Sequence, residues 1–207
     1  MEISIFIRII ASYLVGSISG SMIIGRFRGV DIRTIGSGNA GGTNAFRTQG
    51  IIFAVAVVII DVMKGFASTY YISGDYGLGG SLGIICGVAA VLGHVYPIYY
   101  NFQGGKGAGT MMGILIPLFP EGLLIILCVW GGVLVLSGYV GLSTMVAGIA
   151  FPISAYLRYP QGLESPLGYF SIGIALFLIF THRSNISRML SGNENRFDKI
   201  RLFRKKF

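Results

Sequence analysis

Three apolar stretches, Ile3 to Ile24, Ile51 to Ser73 and about 80–100, dominate the first half of the chain. Crossing roughly 30 Å of hydrocarbon takes about 20 helical residues, and each stretch has that length. Only helices and closed barrels satisfy their backbone in lipid, and continuous apolar runs of this length suit helices. Four further runs follow at about 110–119, 122–137, 144–157 and Leu167 to Thr181, of which the first and third are short. A short run persists at membrane depth where it lines a protein cavity or meets a thinned bilayer. The expected fold is therefore an all-α polytopic membrane protein with seven transmembrane helices, some short, and five spans is the alternative.

With 53% hydrophobic and only 12% charged residues, the chain is far more apolar than a soluble domain. Its 32 glycines exceed what a water-soluble helical core uses, but small residues let membrane helices approach closely. Gly16 and Gly20, Gly83 and Gly87, and Gly109 and Gly113 all carry small-xxx-small spacing. One integral-membrane domain over 1–196, followed by a basic tail over 197–207, is the simplest organisation. The first run is too long, and too polar at Ser12, Ser17, Ser19 and Ser21, for a cleaved signal, and it is expected as a retained span. Cys86 and Cys128 sit inside apolar runs, where cysteine behaves as a small hydrophobe.

The formal net charge of +8 raises nucleic acid as a partner, but the basic residues are confined to loops and a tail beside membrane segments. Anionic lipid or an anionic substrate fits better. With seven spans and the N-terminus outside, the inner segments carry Arg26, Arg28, Arg33, Arg47, Lys106 and the tail with Arg183, Arg188, Arg196, Lys199, Arg201, Arg204, Lys205 and Lys206. Outer loops hold Arg158 beside Asp75, Glu121 and Glu164. The positive-inside rule demands this asymmetry, and it puts the C-terminus in the cytoplasm.

Arg8, Asp61 and Lys64 fall within or near spans, where an ionised side chain is costly and suggests function by default. Structural roles are the preferred reading here. Arg8 lies near the outer end of its span and reaches water by snorkelling, while Asp61 and Lys64, three apart, pair on one helix face.

Three polar clusters interrupt the apolar runs. The first is Gly36-Ser37-Gly38-Asn39-Ala40-Gly41-Gly42-Thr43-Asn44-Ala45-Phe46-Arg47. It matches G-x-G-x-x-G formally, but no strand precedes it, so a dinucleotide fold is excluded. What survives is the physics of converging backbone N–H groups, with Ser37, Asn39, Thr43 and Asn44 adding neutral donors and Arg47 a charged fork for an oxyanion. The second runs from Gly93-His94 through Pro97 to Gly104-Gly105-Lys106-Gly107. It is not a nucleotide loop, because Tyr100 stands where the first glycine belongs and Gly107 where a magnesium-binding hydroxyl belongs. The third is His182-Arg183-Ser184-Asn185-Ile186-Ser187-Arg188. Neither histidine has an aspartate five residues on, so the His-x4-Asp acyltransferase arrangement is absent, and two histidines without a carboxylate cluster make a poor metal site. One histidine is read as a base and the other as structural.

In this order, and separated by spans, the clusters closely resemble the three motifs of the bacterial acyl-phosphate:glycerol-3-phosphate acyltransferase (PlsY) family, over nearly the whole chain. The resemblance implies a seven-helix fold in the bacterial cytoplasmic membrane. It also implies transfer of a fatty acyl group from acyl phosphate to the 1-hydroxyl of sn-glycerol 3-phosphate on the cytoplasmic face. Lysophosphatidate and phosphate are the products, no cofactor and no metal are needed, and an upstream acyl-phosphate-forming enzyme is a partner alongside membrane lipids. Carried onto this sequence, the substrate-binding set is Ser37, Gly38, Asn39, Thr43, Asn44, Arg47, His94, Gly104, Gly105, Lys106, Gly107 and Thr144. His182 and Asn185 orient or deprotonate the attacking hydroxyl, the alternative acceptor being the substrate's own phosphate. Arg188 and Glu194 anchor the tail. The short inner loop departs from the family's pattern, since Gly141-Leu142-Ser143-Thr144 replaces its first serine by glycine and its second by threonine, although Thr144 keeps a hydroxyl. Ala108-Gly109 departs after the turn as well, and the basic tail suits anionic lipid. Two other functions compete. A small anion transporter lacks the expected inverted repeat, and a structural scaffold leaves three phosphate-type loops without purpose.

Overall fold

The computed structural model describes residues 2–74, 80–159 and 161–197. Asp75 and the basic tail residues Lys199, Arg201, Arg204, Lys205 and Lys206 lie outside them. Among the described residues the secondary structure is helical with no strand. The chain groups into two compact units, Met1–Phe119 and Pro120–Phe207.

In the first unit, α1 (Glu2–Gly16) and α2 (Gly20–Phe27) form one apolar run bent by 43°. The bend is written in serines. Ser17 turns its hydroxyl back onto the Tyr13 carbonyl at 2.9 Å, and Ser19 takes an extended conformation before α2. Back-bonding serines bend helices in this way. The break frees the Ile18 carbonyl from the helical ladder, and the Lys64 ammonium satisfies it at 2.7 Å. An eight-residue helix, α3 (Gly42–Gln49), precedes the long helix α4 (Ile51–Ala67), which ends in a π-helical turn, Ser68–Ile72. Arg8, half-buried, donates to the Ile72 and Ser73 carbonyls at the end of that turn.

α5 (Ser81–Val95) packs on α1 through glycines, since a Cβ on Gly16 would stand 2.2 Å from the Ala90 carbonyl and one on Gly93 2.2 Å from the Tyr13 carbonyl. α6 (Ala108–Leu118) meets α4 in the same manner at Gly113, where a Cβ would stand 2.0 Å from the Val62 carbonyl. Close backbone approach of this kind is how membrane helices gain packing energy without a hydrophobic driving force. Ile32, Ala40, Ala45, Phe53, Ala54 and Val57 form a buried cluster that seats the first polar loop on α3 and α4.

The second unit contains α7 (Pro120–Ser137), α8 (Val140–Arg158), α9 (Pro166–Thr181) and α10 (Arg183–Leu190). α9 begins with Ser165 as N-cap, its hydroxyl accepting from the Gly168 N–H at 2.9 Å, and with Pro166 in the first turn. Phe151 of α8 meets Phe170 of α9 edge to face at 5.7 Å between centroids. α9 and α10 are bent by 52° at His182.

All seven expected apolar runs fall on helices. Among the described residues, four helices are long and apolar enough to cross a membrane, or up to six if each bent pair is one span, and the 11-residue Ala108–Leu118 is a shorter apolar helix. The run read from sequence as 144–157 is longer than expected, because α8 covers 19 residues. Gly141 and Ser143 interrupt its apolar start, yet the hydroxyls of Ser143 and Thr144 bond back to the Tyr139 and Val140 carbonyls at 2.8 and 2.9 Å.

Candidate active site

The first polar loop is built around Asn44. Its Oδ1 accepts from the Ser37 N–H at 2.8 Å, and its Nδ2 donates to the Ile32 and Ile35 carbonyls, both at 3.0 Å. Both amide hydrogens are thereby used in shaping the loop, and the side chain is 1% exposed. Gly36, at φ +61°, must be glycine twice over, since a Cβ there would also meet Asn44 Oδ1 at 2.2 Å. The loop leads into α3, where Thr43 and Arg47, four residues apart and both half-buried, share one helix face. Ser37 and Asn39 are half-buried on the loop, and Gly38 takes φ +71° between them.

Arg33 ties this loop to the second cluster. Its guanidinium forks onto Asp31, with Nη2 to Oδ2 at 2.7 Å and Nε to Oδ1 at 3.0 Å, and its Nη1 donates to the Tyr100 carbonyl at 3.1 Å. Asp31 also caps the 3-10 turn Ile32–Thr34 by accepting from the Arg33 N–H at 2.9 Å. These hydrogen bonds from Arg33 hold the Asp31 carboxyl below the usual carboxylate range, against a smaller opposing effect of burial.

The second cluster doubles back on the end of α5. Asn101 and Phe102 adopt left-handed backbone conformations, at φ 54° and 58°, and the Phe102 N–H donates to the Pro97 carbonyl at 2.9 Å. The Gly104 N–H donates to the Val95 carbonyl at 3.2 Å and the Gly105 N–H to the His94 carbonyl at 3.1 Å. A Cβ on Gly104 would lie 2.0 Å from the His94 carbonyl oxygen, and one on Gly105 2.1 Å from His94 Nε2. Lys106 is half-buried on the turn, and Gly107, at φ +92°, opens α6.

His94 itself is 3% exposed. Its Nδ1 lies 3.4 Å from Asp61 Oδ1, which is 3.2 Å from Lys64 Nζ. The structure therefore surrounds this predicted substrate ligand with Asp61 and Gly105. The pairing of Asp61 with Lys64 was expected from their spacing, whereas the contact with His94 was not. The signal that pointed to it was the presence of ionisable groups inside an apolar run.

In the second unit His182 sits at the junction of α9 and α10. Its Nδ1 is 2.8 Å from the Leu178 carbonyl and 3.3 Å from Thr181 Oγ1. A carbonyl only accepts, so Nδ1 carries the proton and Nε2 the lone pair of the neutral ring. Asn185, one turn along α10, donates from Nδ2 to Glu194 Oε1 at 2.8 Å. The other oxygen of Glu194 takes a 2.6 Å hydrogen bond from Arg188 Nε. Glu194 thus links Arg188 to Asn185, a connection that reading the tail anchor alone had missed. Gly141 is packed directly on Asn185, since a Cβ there would come within 2.8 Å of its Nδ2. The segment after α10 returns to the α7–α8 connection, where Arg196 Nε donates to the Ser137 carbonyl at 2.9 Å and the Phe197 N–H to the Gly138 carbonyl at 2.9 Å. Thr144 is buried, and besides its bond to Val140 its hydroxyl accepts from Trp130 Nε1 at 3.3 Å.

The first unit provides two glycine-rich backbone loops whose flanking segments are joined by Arg33, and the second provides a histidine with its Nε2 lone pair set by Leu178 and an amide oriented by Glu194. That inventory suits binding of phosphate groups and transfer of a proton. Comparison with known proteins agrees with it. The family model for glycerol-3-phosphate acyltransferase matches residues 6–192. The glycerol-3-phosphate acyltransferase of Aquifex aeolicus (strain VF5) is 36% identical over 190 residues, covering 91% of this chain and 97% of the relative. That of Fusobacterium nucleatum subsp. nucleatum is 38% identical, covering 93% and 97%. Among solved structures, the glycerol 3-phosphate form of PlsY, an integral membrane glycerol 3-phosphate acyltransferase, superimposes with a TM-score of 0.86 at 36% identity, covering 94% of this chain and 96% of that one. Its lysophosphatidic acid form gives 0.84 at 35% identity.

Proposed function

The chain belongs to the glycerol-3-phosphate acyltransferase family, and from that membership we propose that it acylates the 1-hydroxyl of sn-glycerol 3-phosphate with an acyl phosphate as donor. The products are 1-acyl-glycerol 3-phosphate and inorganic phosphate. The observation that carries the reading is the family match over residues 6–192, and the 3.1 Å bond from Arg33 Nη1 to the Tyr100 carbonyl supports it by joining the segments that lead into the two glycine-rich loops.

An acyl phosphate is a mixed anhydride with a good leaving group already in place. The enzyme's task is to neutralise charge and align the alcohol, and no covalent nucleophile or cofactor is needed. Backbone N–H groups and the side chains of Ser37, Asn39 and Thr43 hold the donor phosphate, on a loop whose shape Asn44 sets. Arg47 and Lys106 neutralise phosphate charge, and the Gly104–Gly107 turn supplies backbone donors. The hydroxyl of glycerol 3-phosphate gives its hydrogen to His182 Nε2 as its oxygen bonds to the acyl carbon. The carbon–oxygen bond to phosphate then breaks and phosphate leaves. Asn185 orients the alcohol, and Arg188 and Glu194 hold Asn185.

The seven apolar runs lie in a bacterial cytoplasmic membrane with the N-terminus outside, and the polar loops face the cytoplasm where both water-soluble substrate and basic residues belong. Residues 1–196 form the catalytic domain, and the basic tail meets anionic lipid. The test is to incubate purified protein in detergent with palmitoyl phosphate and glycerol 3-phosphate, without added metal, and to follow phosphate and lysophosphatidate together. Stoichiometric products, lost in Lys106→Ala, are expected. Folded protein that makes neither product across several acyl lengths overturns the proposal and leaves anion transport to be examined in vesicles.

A further inference from the structure

Asp61 and Lys64 have no part in the roles above, yet they are 3% and 5% exposed inside an apolar helix. Two charges at membrane depth cost several kcal/mol before they pair, and an apolar pair of equal volume would pack there without that cost. Their contacts run in a line. Lys64 Nζ donates to the carbonyl freed at Ile18 by the α1–α2 break at 2.7 Å, and lies 3.2 Å from Asp61 Oδ1. That same oxygen lies 3.4 Å from His94 Nδ1, and the opposite ring nitrogen, Nε2, bears on Gly105. The backbone of His94 holds Gly105 as well, through the 3.1 Å bond from the Gly105 N–H. On the far side of the turn, a Cβ on Gly109 would stand 3.2 Å from the Asp61 Cβ, so Asp61 is within reach of both ends of the segment that carries Lys106. Asp61 Oδ1 and His94 Nδ1 are both buried and make no hydrogen bond among the described residues, so charge contacts at 3.2 and 3.4 Å are what join Lys64, Asp61 and His94.

We propose that Asp61, Lys64 and His94 are positioning residues for the Gly104–Gly107 turn, forming a buried charged strut that runs from the break at Ile18 to Gly105. Lys64 is fixed to the α1–α2 break and fixes Asp61, Asp61 fixes the imidazole, and the ring and carbonyl of His94 grip Gly105 from two sides. Lys106, the next residue, takes its position from that grip. The proposal rests on the reading of this turn as a phosphate site. It reassigns His94 from substrate ligand to support.

The test uses two amides that each keep half of the imidazole. His94→Asn places an amide near the position of Nδ1, keeping the Asp61 contact while withdrawing from Gly105. His94→Gln reaches the position of Nε2 and gives up Asp61. KM and kcat are measured for both substrates in the full-length protein, alone and combined with Lys106→Ala. Each amide variant is expected to raise the KM that Lys106→Ala raises by at least about tenfold, the scale on which loss of a supporting contact lowers affinity, with kcat changed less. Combined with Lys106→Ala, either variant should add little, because both act through the same turn. A wild-type KM in His94→Asn, or full additivity with Lys106→Ala, overturns the strut and leaves a buried ion cluster that only stabilises the fold. Lys106→Ala with both KM values unchanged overturns the phosphate reading of the turn instead.

Should neither amide variant fold, the wild-type protein decides the matter. The chain has two histidines, so the ring 15N signals of His94 are assignable with His182→Asn. They are expected to move when glycerol 3-phosphate or inorganic phosphate is added, and signals that move with neither overturn the proposal.

Discussion

His182 Nδ1 donates to the carbonyl of Leu178, one turn back on the same helix, at 2.8 Å. This bond selects the tautomer with its lone pair on Nε2. If that nitrogen takes the proton from the alcohol, His182→Ala lowers kcat by about 10²–10⁴-fold. KM for acyl phosphate should move little. A loss of less than about tenfold would assign proton acceptance to the departing phosphate and leave His182 as an orienting group.

Asn185 and Glu194 make a second test through polarity reversal. Asn185→Asp sets a carboxylate against Glu194 Oε1 at the 2.8 Å of the present hydrogen bond, and the like charges should lower the melting temperature sharply and abolish turnover. Glu194→Gln added to it restores a donor and an acceptor in reversed order, and leaves a carbonyl oxygen for Arg188. Stability is expected to recover in the double variant. Melting curves of the two single variants and the double variant form the cycle, and additive losses would show that the pair is not coupled.

The helices and the three polar clusters were legible in the sequence because apolar run length and glycine-rich punctuation are local signals. The bend at Ser17–Ser19 left only serines as a trace, so α2 is legible only as the end of the first run, and α3 and α10, at eight residues each, fall below what hydropathy detects. Long-range pairings were not legible. Asp61 announces a helix partner at Lys64, but nothing in spacing says that His94, from another helix, also faces it at 3.4 Å. Asn44 was read as a phosphate donor because an amide beside glycines has that chemistry, and only coordinates show both its hydrogens used by Ile32 and Ile35. Likewise Glu194 was placed in a tail anchor, while its bond to Asn185 depends on how α10 and the following segment turn back.

Glycines divide into two groups with opposite expectations. Gly105→Ala would push a methyl to 2.1 Å from His94 Nε2, a buried ring with no room to retreat, and should cost about 1–3 kcal/mol together with activity. Gly131 and Gly132, inside α7, have nothing within 4 Å of a built Cβ, and alanine there should leave melting temperature and turnover unchanged or slightly improved. A Gly105→Ala variant that melts and turns over like wild type would mean that the approach of His94 does not govern the turn.

The Asp31–Arg33 fork predicts a pH dependence of definite sign. The Asp31 carboxyl is held below its ordinary value of 3.8, so its contribution is complete above that pH and is lost as pH falls through the lower folded-state value. Both side chains are partly exposed, which limits the contribution to less than about 1 kcal/mol. Wild type should melt slightly above Asp31→Asn from neutral pH down to about 5, and the two curves should converge below 3.8. A gap that widens on acidification would contradict the assignment.

Asn44 gives the sharpest distinction between shaping a loop and binding through it. Asn44→Ala removes three loop bonds and should cost about 1–3 kcal/mol for each buried group left unpaired, raising the KM for acyl phosphate as the loop relaxes. Asn44→Asp keeps the acceptor for the Ser37 N–H but turns both donors into a charge facing the Ile32 and Ile35 carbonyls. It should therefore be at least as damaging as alanine. A residue that only donated to substrate phosphate would show a different order, with Asp far worse than Ala in KM while both variants melted like wild type. Melting temperature and KM measured on the same two preparations separate the cases, because loop shaping moves both quantities and direct ligation moves one.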